Sequence, residues 1–327
     1  MKYIFIFIFI IFNTLYAYEN IDYLNKIRKN VGLNELNFDF KLSYLSNNHL
    51  KYMLKEKKVT HFQNNYKNIF FSGRTINDRL NKLYPNNNFI IIGENISMGY
   101  LNDKDSINEL IDSPYHRFNF LKNYDLVGFS KSNNFNGKEN LIVYSLAKIK
   151  NIHNNNKIII YPYNKQKNVP TYFFSDSEVP DPIKIRNIVG YPITLSNFKY
   201  KNIHFELINN ETNVKIPIFV KNHFNDSHIR KNDYLIIPKK ILKNNTKYKF
   251  FIKCSDYNNK NKIFFTTFKT MKYKKPFLIK NNNNNKIHIK YGKPPYFIKI
   301  KNKKYKLNQY TFKLINLNEK YTILDSN

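Results

Sequence analysis

The sequence has no tryptophan, one cysteine and eight glycines in 327 residues, and its 23 acids face 54 lysines and arginines. A lone thiol, Cys254, excludes an intramolecular disulfide, so stability must come from apolar packing. A hydrophobic content of 42%, with 28 Phe and 26 Tyr, supplies that packing. Arginine is scarce, and neither a recognition motif nor a clustered basic helix occurs. The formal charge of +31 is instead lysine spread along the chain. With Asn, Ile, Tyr and Phe enriched beside it, that spread matches the output of an AT-rich coding sequence. It argues against a nucleic-acid partner and leaves anionic envelope or host polymers as electrostatic ones.

Long apolar runs are missing too, apart from residues 3–12. That run of about ten residues is half of the ~20 a helix needs to cross a bilayer core. Preceded by Lys2 and followed by Ala17, it reads as a secretory signal, residues 1–17, cut after Ala17. No cysteine near the cut offers a lipid attachment, and no later run is long enough to span. The expectation is an exported protein, periplasmic or extracellular.

Periodicity organises the rest. Ile21, Leu24, Ile27 and Val31 form a one-faced stripe ending at Gly32, a helix with a glycine C-cap. Leu42, Leu45, His49, Leu50 and Met53 mark a second helix, and Ile76, Leu80 and Leu83 a short third. Residues 89–92 read as a buried strand running into a turn at Gly93-Glu94-Asn95. Residues 106–111 read as a helix stopped by Ser113-Pro114, and residues 126–129 and 141–146 as two more strands. Residues 18–150 are therefore mixed α and β. Prolines 162, 170, 180, 182 and 192 make residues 151–192 an extended linker or strap. Residues 193–272 carry only strand-like pieces (203–207, 215–220, 234–237, 248–252 and 263–268), the pattern of a β-sandwich. In residues 273–327, alternation at Ile287, Ile289 and Tyr291 and again at Tyr296, Ile298 and Ile300 predicts a hairpin in a small β unit.

Chemistry-bearing residues gather in the first region: His61, Glu94 with Asn95, the acids Glu109 and Asp112, and Ser113-Pro114-Tyr115-His116-Arg117. Two histidines and a carboxylate are a minimal set for Zn²⁺ or another divalent metal, or for acid–base work. His61 and His116 stand 55 positions apart, and spacing alone does not join them; a packed structural histidine is the commoner fate of such residues. Asn95 reads as structural, its amide satisfying backbone groups in a turn, and Arg117 as a solvated or ion-paired structural residue. Cys254 reads as buried packing.

The order of the motifs adds a resemblance. Asn25-Lys26-Ile27-Arg28 with Gly32-Leu33-Asn34-Glu35-Leu36, then His49 to Met53, His61, Phe71-Ser72-Gly73-Arg74-Thr75, Asp78-Arg79, Gly93-Glu94-Asn95, Ser113-Pro114-Tyr115-His116-Arg117 and Leu126-Val127-Gly128 resemble, in that order, the CAP superfamily (cysteine-rich secretory, antigen 5 and pathogenesis-related-1; the SCP domain) in its bacterial branch. The resemblance spans roughly residues 20–148. It implies a three-layer α-β-α sandwich with a cleft lined by two histidines and two acids. His61, Glu94 and His116 match three of these positions. Glu109 and Asp112 are offset from the fourth, Leu110 stands in place of the usual tryptophan, and Tyr115 in place of the usual glycine. Gly190-Tyr191-Pro192-Ile193, Ile237-Pro238 and Phe265-Thr266-Thr267 resemble parts of longer bacterial members and of a bacterial Ig-like domain.

The expected fold class is thus α+β, a CAP sandwich followed by an all-β Ig-like sandwich and a small C-terminal β unit. Three functions stay open. The first is a non-enzymatic binding protein whose cleft takes a small, lipid-like ligand or a divalent metal. The second is a metal-dependent hydrolase with His61 and His116 as ligands and Glu94 as general base. The third is an adhesin-like structural module with a vestigial cleft.

Overall fold

The computed structural model describes residues 21–99, 103–135, 139–150, 157–185 and 188–272. Beyond these it describes strand segments within 277–324. The expected signal, residues 1–17, lies outside the described residues. The chain forms two compact units divided at Lys157 and Ile158, with Asp112–Tyr115 grouped in the second. No described helix is long and apolar enough to cross a membrane.

In the first unit, residues 21–30 form α1, and Gly32 follows at φ 81°, the left-handed conformation expected of a glycine after a helix. Then come β1 (Asn37–Phe38), α2 (Phe40–Glu56), α3 (Ile76–Leu83), β2 (Phe89–Met98), α4 (Asp103–Asp112), α5 (Pro114–Phe120), β3 (Leu126–Phe135) and β4 (Glu139–Ile149). The sheet order is β1-β3-β4-β2, with β1 parallel to β3 and the other pairs antiparallel. Strand β4 is buried on both faces. Leu141, Val143 and Ala147 pack with residues of α2, while Tyr144 meets Phe120 of α5 edge-on at 5.3 Å. Helices α2 and α3 therefore cover one face and α5 the other, a three-layer α-β-α arrangement. The buried Arg28 of α1 ties the loop after α5, donating to the carbonyls of Phe120, Lys122 and Tyr124 at 2.7–2.9 Å.

One expectation is corrected here. Gly93-Glu94-Asn95 is not a turn but the middle of the ten-residue strand β2, paired to Leu146, Ser145 and Tyr144 of β4. Helix α4 does stop before Ser113-Pro114, and Pro114 then opens α5, since a residue without an N–H suits a first helical position.

Helix α2 lies unusually close to the sheet. A Cβ on Gly128 would fall 2.1 Å from the Ser43 backbone nitrogen. Ser46 Oγ donates to Ser145 Oγ at 2.8 Å. Gly128, Ser145 and Glu94 are successive partners across β3, β4 and β2. Small residues in that row let the helix settle and bring its next turn, at His49, over Glu94.

The second unit holds a β-sandwich. One sheet is built of β6 (Gln166–Val169), β10 (Lys201–Asn209), β11 (Lys215–Ile216), β14 (Lys247–Ser255) and β15 (Asn261–Thr270). The other contains β5 (Ile159–Tyr161), β9 (Ile193–Ser196), β12 (Ile218–Asn222) and β13 (Tyr234–Pro238). The ladder β7 (Tyr172–Phe174) with β8 (Ile188–Gly190) completes this part. The sheets meet through aromatics, Phe205 of β10 lying 5.4 Å from Tyr234 of β13 and, within its own sheet, 5.8 Å from Phe250. Residues 215–220 are not one strand as expected. Pro217, without an N–H, divides them, and the halves enter different sheets. Cys254 is buried, with Sγ 3.7 Å from the Lys262 carbonyl. Further on, the expected hairpin is not formed. Lys286–Lys290 pairs with Phe277–Asn281 and Thr311–Lys313, whereas Tyr296–Ile300 pairs with Lys303–Leu307 and Tyr321–Leu324.

The close α2 contact gives a test of the fold. Gly128→Ala should lower stability by about 3 kcal/mol, because the clash is with backbone that cannot swing away. Urea unfolding of the two proteins measures this, and a loss under about 1 kcal/mol would show that α2 is free to lift off the sheet.

Candidate functional site

The site is assembled around one buried charge. Glu94 projects from β2 toward α2 and α3, and its side chain is 4% exposed. Burial alone would force the carboxyl to protonate, so the fold supplies positive and donating groups. Arg79 of α3, fully buried, donates through Nη2 to Glu94 Oε2 at 2.7 Å. Its Nη1 donates to the His61 carbonyl at 3.0 Å, fixing the backbone that presents His61. His61 Nδ1 lies 2.9 Å from Glu94 Oε1. Burial pushes the Glu94 carboxyl up, but His49, Arg79 and the His61 hydrogen bond outweigh it and hold the group at about 2.

Local sequence explains how α3 and the loop before it reach this point. Thr75 caps α3, its hydroxyl accepting from Asp78 N while the Asp78 carboxylate accepts from Thr75 N. Gly73, at φ 144°, leaves no room for a Cβ beside Asp78. At the other end of the loop, α2 stops at Lys57 in the left-handed conformation, and the Tyr52 hydroxyl accepts from Asn64 N and Asn65 N at 2.9 and 2.8 Å. A groove of about 370 Å³ runs along this loop, lined in part by Tyr52, Thr60, Phe62 and Tyr66.

His49 is the third member of the cluster, and its tautomer follows from its partners. Ser72 N–H donates to Gln63 Oε1 at 2.7 Å, so the Gln63 amide must turn its NH₂ toward His49 Nδ1, 3.2 Å away. Nδ1 therefore accepts, the ring proton sits on Nε2, and Nε2 donates to the Thr60 carbonyl at 2.8 Å. Burial holds the ring at about 4, against the pull of Glu94 and with the push of Arg79. A neutral His49, 3.7 Å from Glu94 Oε1, leaves Arg79 as the cation that counters the carboxylate at neutral pH.

His61 differs in exposure. Its side chain is 48% exposed, and the edge carrying Nδ1 is committed to Glu94. The carboxylate accepts from Nδ1–H, which leaves Nε2 as a lone-pair acceptor on the open edge. Oriented by a carboxylate that is itself anchored by arginine, this imidazole can accept a ligand's proton donor or bind a cation.

The remaining expected residues fall as follows. Asn95, next along β2, faces the opposite layer. Its Nδ2 donates to the His116 carbonyl on α5 at 3.1 Å, and its Oδ1 accepts from Asn119 Nδ2 at 3.0 Å. Both bonds tie β2 to α5, and they run from the middle of a strand rather than from a turn. The bond to His116 sets its backbone on the α5 side of β2, the face opposite the one from which Glu94 projects. Strand β2 is an edge of the sheet, where both helical layers border the same strand. Glu109 lies on α4, and Asp112, the last residue of that helix, accepts from the Tyr191 hydroxyl at 2.5 Å within the second unit. Ser113 belongs to the same four-residue segment of that unit. Arg117 is not solvated. It is fully buried, and its Nε donates to the Ile111 carbonyl at 2.5 Å. Among the described residues no group of three His, Cys, Asp or Glu side chains is arranged to hold a metal ion. His49, Gln63 and Arg79 went unassigned in the sequence. The signal for His49 was a titratable ring on the apolar stripe of α2, since a buried polar group needs a partner.

A match to a protein-family model bears on the first unit. Residues 21–146 match the family model described as CAP, the cysteine-rich secretory protein family. No curated protein matches the chain. Among solved structures, an outer surface protein of Borrelia burgdorferi is similar at 18% identity and a TM-score of 0.33, over 42% of this chain and 92% of that one. An extracellular protein of Bacillus anthracis containing an SCP domain is similar at 21% identity and 0.34, over 40% of this chain and 39% of that one. A copper resistance protein of Escherichia coli is similar at 11% identity and 0.23, over 34% of this chain and 94% of that one.

The cluster should be visible in the pH dependence of stability. His49, 6.5 in the unfolded chain and about 4 when folded, withdraws stability as pH falls from 6.5 to 4. Glu94, 4.5 unfolded and about 2 folded, contributes fully above 4.5 and is lost as pH falls toward 2. The two groups act on one another, so the two windows together should withdraw a few kcal/mol in urea unfolding. His49→Gln should flatten the upper window and Glu94→Gln the lower. A wild type whose stability is level between pH 6.5 and 4 would refute a neutral, buried His49.

Proposed function

We propose, from the premise that residues 21–146 are a CAP domain, that this is an exported binding protein of the cell envelope or exterior whose CAP domain takes a small ligand at His61. The observation that carries this reading is the pairing of a half-exposed imidazole with a buried, arginine-anchored carboxylate. That pairing fixes the ring's orientation and tautomer before any ligand arrives, so less ordering is left to be done on binding. The neighbouring groove, part aromatic and part polar, suits a ligand with an apolar body and a polar head, such as a lipid-like molecule. Export rests on Lys2, the apolar run and Ala17. The β-sandwich of the second unit is assigned to spacing or attachment, in the manner of an Ig-like domain.

A divalent cation is the other ligand class. His61 Nε2 has the lone pair for it, and His116 would be the second imidazole, with Zn²⁺ supplying Lewis acidity to a bound water if the site were hydrolytic. Glu94 fits poorly as the general base of such a reaction. Both its oxygens are engaged, and a carboxyl held at about 2 has little affinity for a proton. An orienting role suits it better, which favours binding over turnover.

Titrating Zn²⁺ calorimetrically into the chelator-stripped mature protein tests the cation arm. Saturable heat from the wild type that disappears in His61→Ala, His116→Ala would support a shared site for the two rings. Equal heats from both proteins would remove His61 from cation binding and leave a small organic ligand as its partner.

A further inference from the structure

The outer face of the five-stranded sheet in the second unit carries a feature unrelated to the His61 site. Along β14, residues alternate between a buried inner row, Tyr248, Phe250 and Ile252, and an outer row, Lys247, Lys249, Phe251 and Lys253. Phe251 pairs across to Phe265 of β15, ring centroids 6.3 Å apart. Large apolar groups are left open here, Phe265 being 55% and Ile263 65% exposed. Lys249 Nζ stands 4.5 Å from the Phe251 ring centre and 4.4 Å from that of Phe265. Two rings therefore hold one ammonium at the middle of the face.

Charge on this face is one-sided. On the strand rows its carboxylate, Glu206, is already matched by Lys215 at 2.8 Å and Lys253 at 3.2 Å, and Glu211, in the turn after β10, accepts from Lys247 N at 3.4 Å. At the other end Lys247 and Lys269 are direct cross-strand partners, and among the described residues neither makes an ion pair. Like charges placed opposite each other cost stability, so this pair gains from an external anion.

We propose that this face binds an acidic polysaccharide, with Lys247, Lys249 and Lys269 taking its carboxylate or sulfate groups and Phe265 packing on the apolar face of a sugar ring. Lysines two residues apart on a strand place ammonium groups about 7 Å apart, a spacing that serves charges repeated along a flexible polymer. Two features favour a glycan over single-stranded nucleic acid. The face uses lysine without the arginines that grip phosphate in two-point fashion. Its two rings are tilted by 46° to one another, so they offer no parallel platforms on which successive bases could stack.

The test uses the full mature chain with heparin, polygalacturonate and a single-stranded oligonucleotide as probes. Lys247→Gln, Lys269→Gln should weaken binding of both glycans about 10-fold and reduce the salt slope by about two. Phe265→Ala should weaken it several-fold with the slope unchanged. Each substituted side chain is exposed, and an unchanged unfolding midpoint confirms the fold. Lys26→Gln, Lys29→Gln, at exposed positions on α1, changes net charge equally and should cost less than about 2-fold. Equal losses in this control, or a Phe265→Ala variant that binds like the wild type, would overturn the proposal. So would an oligonucleotide held more tightly than either glycan through the same lysines.

Discussion

A carboxylate removed from water must be neutralised, protonated or surrounded by donors, and Glu94 imposes that requirement on everything near it. The strand position is set by pairing with Ser145, so the carboxylate cannot move to solvent, and the neighbours must come to it. Arg79 supplies charge, His61 supplies a hydrogen bond, and His49 closes the remaining side. Each of these then needs its own partners. The chain between α2 and α3 meets them: Thr60 and Gln63 fix His49, Ser72 fixes Gln63, and the His61 carbonyl receives Arg79. Residues 57–75 have no regular secondary structure, and within them the Thr60 and His61 carbonyls and the Ser72 amide are spent on this cluster.

The cluster also depends on how closely α2 can lie. A helix normally rides on side chains, about 10 Å from a sheet. Here Gly128 and the Ser46–Ser145 contact remove that layer, and the apolar packing of Leu42, Leu45, Leu50 and Met53 fixes the helix at that depth. A larger residue at Gly128 would lift His49 away from Glu94 and open the pocket to water. Packing and electrostatics are coupled in this domain through one cross-strand row.

Helices α1, α2 and α3 could be read from the sequence because their apolar stripes are local, and β2, β3 and β4 could be located, though short of their full lengths. Asn95 misled because its amide is satisfied by α5, more than twenty residues away, rather than by its own turn. Ser113-Pro114 marked the end of α4 correctly but gave no sign of α5, because proline both ends helices and begins them, and only the next turn decides which. The failed hairpin has a similar cause. Alternation identifies strands but not partners, and here each of the two strands pairs with others. The motif order brought His61 and Glu94 together; His49, Gln63 and Arg79 entered the site through hydrogen bonds that no spacing encodes.

His49 and His61 show what burial does to one chemical group. Both approach the same carboxylate, yet His49 has every ring nitrogen engaged and a proton fixed on Nε2 by a chain that ends at a backbone amide. It can neither exchange that proton near neutral pH nor present a lone pair. His61, half in water, keeps the nitrogen that His49 has lost. A hydrolytic centre needs a group that gives and takes protons in a cycle, beside a second group to receive them. Around Glu94 the described side chains offer one open imidazole and a carboxylate too acidic to share its work. That asymmetry is the physical basis for reading the site as one that holds a ligand.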